Sequence, residues 1–479
     1  MGIQARYPAQ TFVSVDRKLL RNPLRHIHST VSGHCKCTSI KRPTKIEFII
    51  NKLHYTFQSN AIIYRFIKMK SNHKSTLIFV LIVVVIDTAG FGLIFPVLPQ
   101  LLINLLHSDI STAAKYGGWL SFAYAIMQFV FAPVLGNLSD QYGRRPVLLS
   151  SLFGFSIDCI FLAFAPNILW LFVGRTIAGI TGASYSVASA CVADISTDDN
   201  RTKNFGLINA GFGLGFIIGP IIGGTLGQFG THTPFIVAAI LSFINFIFGY
   251  YFFPESLKAN NRRKFDRKRA NPFGSLKHLQ KFPLIKTLVL SMIFVSIANH
   301  SMESVWAFFT IEKFKWSTSL VGYSLAFIGI LSIIVQLWLV SILAKKLGDK
   351  RMAVLGFVLM MTGFFLFAFT PWQWLLFTAL LLFIVGGIQG TAVQSIMSSA
   401  MPDNEQGELQ GALGSLMGLT TLIAPPLMTS SFSYFTGKQS EIYFPGIPFL
   451  IASILTLISL ILFLKSFKKS NRLIKSVDK

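Results

Sequence analysis

Apolar runs of about twenty residues, the length that crosses a lipid hydrocarbon core as a helix, recur along this chain from Leu77 almost to its end. The run from Leu77 to Leu106 carries one acid and no base. A membrane offers no water to backbone amides and carbonyls, so only helices and closed barrels can span it. Barrel strands alternate apolar and polar residues over about ten positions, whereas these runs are apolar on all sides. The reading is therefore an all-α polytopic membrane protein whose environment is the lipid bilayer.

The charge pattern supports the same reading. Of 479 residues 52% are hydrophobic, 46 are Phe, and the formal net charge is +24. Such a charge invites a nucleic-acid reading, but its placement argues against one: the bases sit between the apolar runs. The segment from Pro254 to Phe282 holds Lys258, Arg262, Arg263, Lys264, Arg267, Lys268, Arg269, Lys277 and Lys281, and the tail after Lys465 is also basic. Cys35, Cys37, Cys159 and Cys191 form neither a disulfide framework nor a zinc pattern. There is no HExxH pair, no GxSxG elbow and no His/Cys cluster with ligand spacing. Accordingly no enzyme activity, metal or cofactor is expected.

Twelve spans are read, near 76–104, 116–138, 146–165, 168–194, 204–227, 233–253, 284–309, 319–344, 350–370, 372–398, 408–434 and 444–465. Odd-numbered connections are short and nearly free of bases, as in APN at 165–167 and TPWQ at 370–373. Even-numbered ones carry the bases, as in DQYGRRP at 140–146, the 254–282 loop and KKLGDKR at 345–351. By the positive-inside rule both termini are expected to be cytoplasmic, and a cell (inner) membrane location is expected. Residues 1–75 read as a basic extension outside the fold, with Met69 as the expected natural start because MKSNHKSTLIF leads straight into the first span.

A shift of 205 positions lays GNLSDQYGRR (136–145) on SILAKKLGDK (341–350), Gly143 falling on Gly348. The same shift aligns Gly182 with Gly387, Gly206 with Gly411 and Pro220 with Pro425. One offset serving separate segments implies two six-helix halves, 76–253 and 284–465, joined by the linker 254–283 and followed by a basic tail, 466–479. Parallel six-span repeats are a transporter architecture with its site near the bilayer midplane between them.

Ionisable residues inside spans are costly, about 2.5–3.5 kcal/mol each on insertion scales, and so point to a cavity or a partner. Arg175 in the fourth span has two candidate partners, Asp87 in the first and Asp158 in the third, both near midplane. Either the pair merely locks helices, or these carboxylates carry protons. His300 and Glu303 lie one turn apart in the seventh span, in the outer part of the second half. Polar Gln128, Asn299 and Gln394 are candidates for a substrate cavity. In the second-to-third connection Asp140, Arg144 and Arg145 flank Gly143, and with Gly136 and Asp194 they read as a conformational latch. The fifth span carries Gly211, Gly215, Gly219, Gly223 and Gly227 at four-residue spacing, with Pro220 and Gly224, a face that admits a neighbouring backbone at close range.

On DTAGFGLIFPVLP (87–99), YAIMQFVFAPVLGNLSDQYGRRPVLL (124–149), GRTIAGITGAS (174–184), GFGLGFIIGPIIGG (211–224) and GELQGALGSL (407–416) the chain resembles the major facilitator superfamily. Within it the match is to the twelve-span drug:proton antiporters, most closely the bacterial tetracycline efflux proteins, over about residues 76–465. The resemblance implies proton-driven efflux, with Asp87, Asp158 and Arg175 at positions used for coupling and Gln128 in the central cavity. Two departures bear on the cargo. Where those pumps resemble GFIAD in span nine this chain reads GFVLM, leaving Met360 in place of an acid, and Ser332 stands where they carry a histidine in span eight. Glu303 is expected to take over part of that second-half charge function. The expected protein is a proton-coupled antiporter, working as a monomer, that exports a small amphipathic drug or tetracycline-like molecule by alternating access. An importer of a sugar or metabolite and a non-transporting ligand sensor are the rivals.

Overall fold

A computed structural model describes residues 73–197, 200–266, 283–401 and 406–477. The basic amino-terminal extension, the assignment of Met69 as the start and linker residues 267–282 lie outside the described residues. Within them there are helices and no strands. The helices are α1 His73–Ile94, α2 Leu98–Leu106, α3 Ile110–Tyr142, α4 Arg144–Phe164, α5 Ile168–Thr181, α6 Ser184–Ile195, α7 Arg201–Leu226 and α8 Thr233–Phe252 in the first half. The second half has α9 Pro283–Phe314, α10 Thr318–Ile334, α11 Val340–Phe369, α12 Gln373–Gly386, α13 Ile388–Ser399, α14 Gln406–Thr436 and α15 Ile447–Val477.

Several boundaries differ from the sequence reading, each for a local reason. The first span ends at Ile94, because a turn at the Phe95-Pro96-Val97 segment precedes the short helix α2, which carries proline in its first turn. The second span begins earlier than read, at Ile110, where Asp109 caps it by accepting the Thr112 amide at 2.9 Å. Spans eight and nine run on as one apolar helical stretch, Thr318–Phe369, through a π-helical turn at Val335–Leu339. Gly348 interrupts the helical backbone there with φ 70° and ψ 161°, so the eleven continuous apolar stretches among the described residues correspond to twelve crossings. The last helix continues past residue 465 to Val477.

The shift of 205 positions reappears in the backbone. Gly143 adopts φ 107° and ψ 162°, nearly the ψ of Gly348, and both positive-φ turns join adjacent spans where a side chain would be strained. The fourth span breaks at Gly182 between α5 and α6, and the tenth breaks at Gly387 between α12 and α13. Pro220 and Pro425 lie inside α7 and α14.

The glycine row of α7 lies along α1. A Cβ on Gly215 would come within 2.7 Å of the Val85 carbonyl oxygen, and one on Gly219 or Gly223 would overlap the carbonyls of Ala89 or Leu93. Four residues of α-helix turn through about 400°, so each step drifts by about 40°. The row therefore turns away from α1 as it rises: a Cβ on Gly227 would meet Thr318 of the other half as well as Val97 just past α1, and one on the neighbouring Gly224 would meet Thr318. The sequence reading put all five glycines on one face, and the drift corrects it.

The halves meet through α3 with α14 and α7 with α10, a pairing that exchanges under the internal repeat. Hydrogen bonds between the halves gather at the end of the short, base-poor connections. Ser111 donates to the Ser433 carbonyl at 2.6 Å, Gln228 to Ser319 at 2.6 Å, and Ser319 to the Gly224 carbonyl at 2.8 Å. A continuous buried core crosses the halves there, with Leu102, Phe308 and Phe432 among its members. A separate small core, including Val80, Leu148, Ala188 and Ile208, belongs to the first half alone. Towards the basic connections the halves part: a Cβ on Gly136, Gly206, Gly348, Gly390 or Gly414 would meet no described atom within 4 Å.

Candidate functional site

Between the halves lies a cavity of about 550 Å³, in the range of drug-sized ligand sites. Its apolar wall includes Phe91, Phe95, Phe155, Phe212 and Phe216, and its polar groups include Asp87, Tyr124, Gln128, Arg175, Tyr185, His300, Glu303 and Thr421. The fold brings these together from seven spans: one, two, three, four and five of the first half, with seven and eleven of the second.

The two candidate partners of Arg175 take different roles in this geometry. Asp158, whose side chain is fully buried, grips the guanidinium with both carboxylate oxygens: Arg175 Nε donates at 3.0 Å, and a second, shorter bond runs from its Nη2. A two-pronged pair of this kind satisfies both charges at once. Asp87 is not the ion-pair partner. It is half-buried in the cavity wall, with Ser184 as its side-chain hydrogen-bond partner. Arg175 also lies 6.0 Å from the centre of the Tyr124 ring.

Gln128 has a structural as well as a lining position. Its amide nitrogen donates to the Tyr124 hydroxyl at 3.0 Å and to the Gly182 carbonyl at 3.0 Å, the point where the fourth span breaks. A break inside a membrane helix frees backbone groups that need partners, and Gln128 supplies one. On the other half His300 Nδ1 meets Glu303 Oε2 at 3.0 Å and His300 Nε2 meets Thr421 Oγ1 at 3.2 Å. Both residues lie on the wall of the central cavity. Asn299 and Gln394 are not among the lining residues. Gln394 instead donates to Gln410 at 3.2 Å.

Met360 is buried against the backbone of Gly386, between spans nine and ten, and it does not line the cavity. Ser332 is half-buried and likewise absent from the lining. Neither departure from the tetracycline-pump pattern removes a charge from the cavity wall in this conformation.

At the basic end Arg144 donates from Nε to Asp194 at 3.0 Å and from Nη1 to Asp140 at 2.6 Å and Ser139 at 2.7 Å. This ties the second-to-third connection to the end of span four that carries Asp194. A residue that the sequence reading missed completes the cluster. Glu255 accepts the amides of Arg144 at 2.8 Å and Arg145 at 3.2 Å, so a carboxylate caps the positive end of α4. The Arg145 guanidinium turns to the Tyr250 carbonyl. Asn137 and the backbone of Asp140 bind the linker further on, at the Asp266 carbonyl (2.6 Å) and the Arg263 amide (3.0 Å). The signal was an isolated acid, in PES, directly after the sixth span of a chain poor in acids. In the second half the equivalent connection has Asp349 accepting from Ser395 at 2.6 Å. Gly136 stands open, with no described atom near its Cβ position.

Two six-helix bundles joined at one end and enclosing a polar, aromatic-walled cavity make this a secondary transporter. The chain belongs to the Major Facilitator Superfamily, whose sequence model matches residues 80–425 and 301–478. Among characterised relatives, the class C tetracycline resistance protein of Escherichia coli is 39% identical over 365 residues, covering 76% of this chain and 91% of the relative. The class H protein of Pasteurella multocida is 37% identical, covering 79% of this chain and 93% of the relative. Among solved structures, the human organic anion transporter MFSD10 (TETRAN) superposes with a TM-score of 0.61 at 21% identity, covering 82% of this chain and 99% of its own. A bacterial homologue of the human lysosomal transporter Spinster, in an inward-facing and occupied conformation, gives 0.66 at 14%, covering 82% and 96%. Both of these structures share the fold.

Proposed function

We propose that this protein is a proton-coupled antiporter that exports a small amphipathic, tetracycline-like drug from the cytoplasm. The relatives above carry tetracycline resistance in their names and align with three quarters or more of the chain. The observation that carries the coupling is the contrast between the two first-half carboxylates. Asp158 is held by Arg175, whereas Asp87 opens onto the cavity without an ion-pair partner among the described residues. Asp87 is the group that exchanges a proton with the cavity, and the Asp158–Arg175 pair locks spans three and four beside it.

The protein is oriented with its basic connections in the cytoplasm. The hydrogen bonds between the halves at the base-poor end support a reading in which the cavity loads cargo from the cytoplasmic side. Rocking of the halves about the α3–α14 and α7–α10 contacts opens the opposite side. Cargo and proton use the same wall, so each disfavours the other, which is the coupling an antiporter needs. The Arg144–Asp140–Asp194 cluster with Glu255 serves as the latch on the cytoplasmic face, keeping spans two, three and four together as one body.

Everted vesicles carrying an internal pH dye provide the test. Adding tetracycline to energised vesicles should dissipate the gradient in the native protein, and Asp87→Asn should bind drug but release no protons. Full proton release by Asp87→Asn would refute the assignment of Asp87. Sugar or metabolite accumulation in place of drug exchange would favour an importer.

A further inference from the structure

The cavity wall carries a charge balance that the coupling mechanism does not use. Among the lining residues the acids are Asp87 and Glu303, the bases are Arg175 and His300, and the other titratable groups are Tyr124 and Tyr185. Arg175 is neutralised by Asp158. This leaves Glu303 facing Asp87 across a wall rich in Phe, with one imidazole as its companion. Glu303 lies in the cavity with 58% of its side chain accessible, while His300 is 18% accessible. One oxygen, Oε2, meets His300, and the other has no protein partner among the described residues. His300 is held from behind by Thr421, at 3.2 Å, so it can let go of Glu303 without losing its place.

We propose that Glu303 is the cargo-charge subsite and that His300 is its resident stand-in: an organic cation flanked by aromatic rings displaces His300 and pairs with Glu303. This rests on the export reading above and narrows it to cargo bearing a cationic nitrogen or an equivalent soft, delocalised positive centre. The physical basis is twofold. An acid in a low-dielectric cavity draws opposite charge strongly, and Phe91, Phe95, Phe155, Phe212, Phe216 and Tyr124 offer ring faces that attract cations. A fixed cation at position 300 would compete with cargo, whereas a neutral hydrogen-bonding side chain there would not.

The test uses two probes of nearly equal shape and opposite charge, tetraphenylphosphonium and tetraphenylborate, binding to the purified full chain in detergent. The wild type should bind the phosphonium at least tenfold more tightly than the borate. Glu303→Gln should reduce that preference at least fivefold. His300→Lys, which leaves Glu303 in place but gives it a permanent partner, should do the same, while His300→Gln keeps the preference. Melting curves establish that each variant is folded. A wild type without cation preference, or a smaller fall in either Glu303→Gln or His300→Lys, overturns the proposal. The readout is equilibrium binding and involves no proton gradient, so it is separable from failure of drug–proton exchange in vesicles.

Discussion

The seal at the base-poor end rests on glycines, and Gly322→Ala probes it most directly. A Cβ at Gly322 would overlap the carbonyl oxygen of Pro220 and come within 3.1 Å of the Gly224 Cα. Both obstacles are backbone, so neither can swing aside as a flexible side chain would. Overpacking of this kind costs about 1–3 kcal/mol. The strain exists only while α7 and α10 touch at this end, and it vanishes when the halves part there. The substitution should therefore shift the population towards the conformation open at this end, by about 5- to 150-fold. The assay places a reporter cysteine at Leu98, which lines the cavity, and applies a membrane-impermeant maleimide from the base-poor side. With Cys35 and Cys37 replaced by Ser, the remaining native Cys159 and Cys191 are fully buried and serve as an internal background. Labelling at position 98 should accelerate at least fivefold in Gly322→Ala. A rate within twofold of the parent, in folded protein, would refute both the seal and the argument from close packing.

Three further outcomes follow from the same geometry. Asp158→Asn strands the Arg175 charge in a buried site and should cost about 3–5 kcal/mol in an unfolding titration, whereas the double change Asp158→Asn/Arg175→Gln should recover most of it; equal losses in the two proteins would dismiss the pair. Glu255→Ala leaves the amides of Arg144 and Arg145 without their carboxylate and should lower stability by about 1–3 kcal/mol. It should also speed proteolysis at Arg262, Arg263 and Lys264, and unchanged cleavage would count against docking of the linker. Asp109, outside the bilayer, accepts the Thr112 amide, which holds its carboxyl below the ordinary value of 3.8. Since the folded form favours the carboxylate, its stabilisation is complete above that value and is lost as pH falls through the depressed one. Asp109→Ala should remove about 1 kcal/mol at neutral pH and flatten this acid limb of the melting temperature; an acid limb as steep as the parent's would exclude the cap as its source.

Much of the architecture was legible because its causes are local or periodic. Span number follows from the length of apolar runs, and the repeat from a single offset that later reappeared as matched positive-φ glycines at 143 and 348 and matched helix breaks at 182 and 387. The merging of spans eight and nine was not legible, because KKLGDK is polar enough to read as a loop yet continues the helix on both sides of one glycine. The turn after Ile94 was hidden for the opposite reason: the residues beyond it are as apolar as those before, and hydropathy does not register a change of direction.

The sequence by itself determined which residues enter the membrane, that they do so as helices, and that rare ionisable groups among them need a cavity or a partner, since each of these depends on transfer from water to oil and on spacing along one chain. Only the tertiary structure decided that Asp158 and not Asp87 holds Arg175, that His300 and Glu303 share a wall with Asp87, that Met360 is buried between helices, and that Glu255 caps a helix more than a hundred residues before it. These are pairings between distant segments, set by how helices rotate and cross as they pack, and a rotation of one helix by a few tens of degrees would exchange a cavity-lining side chain for a buried one without altering any pattern in the sequence.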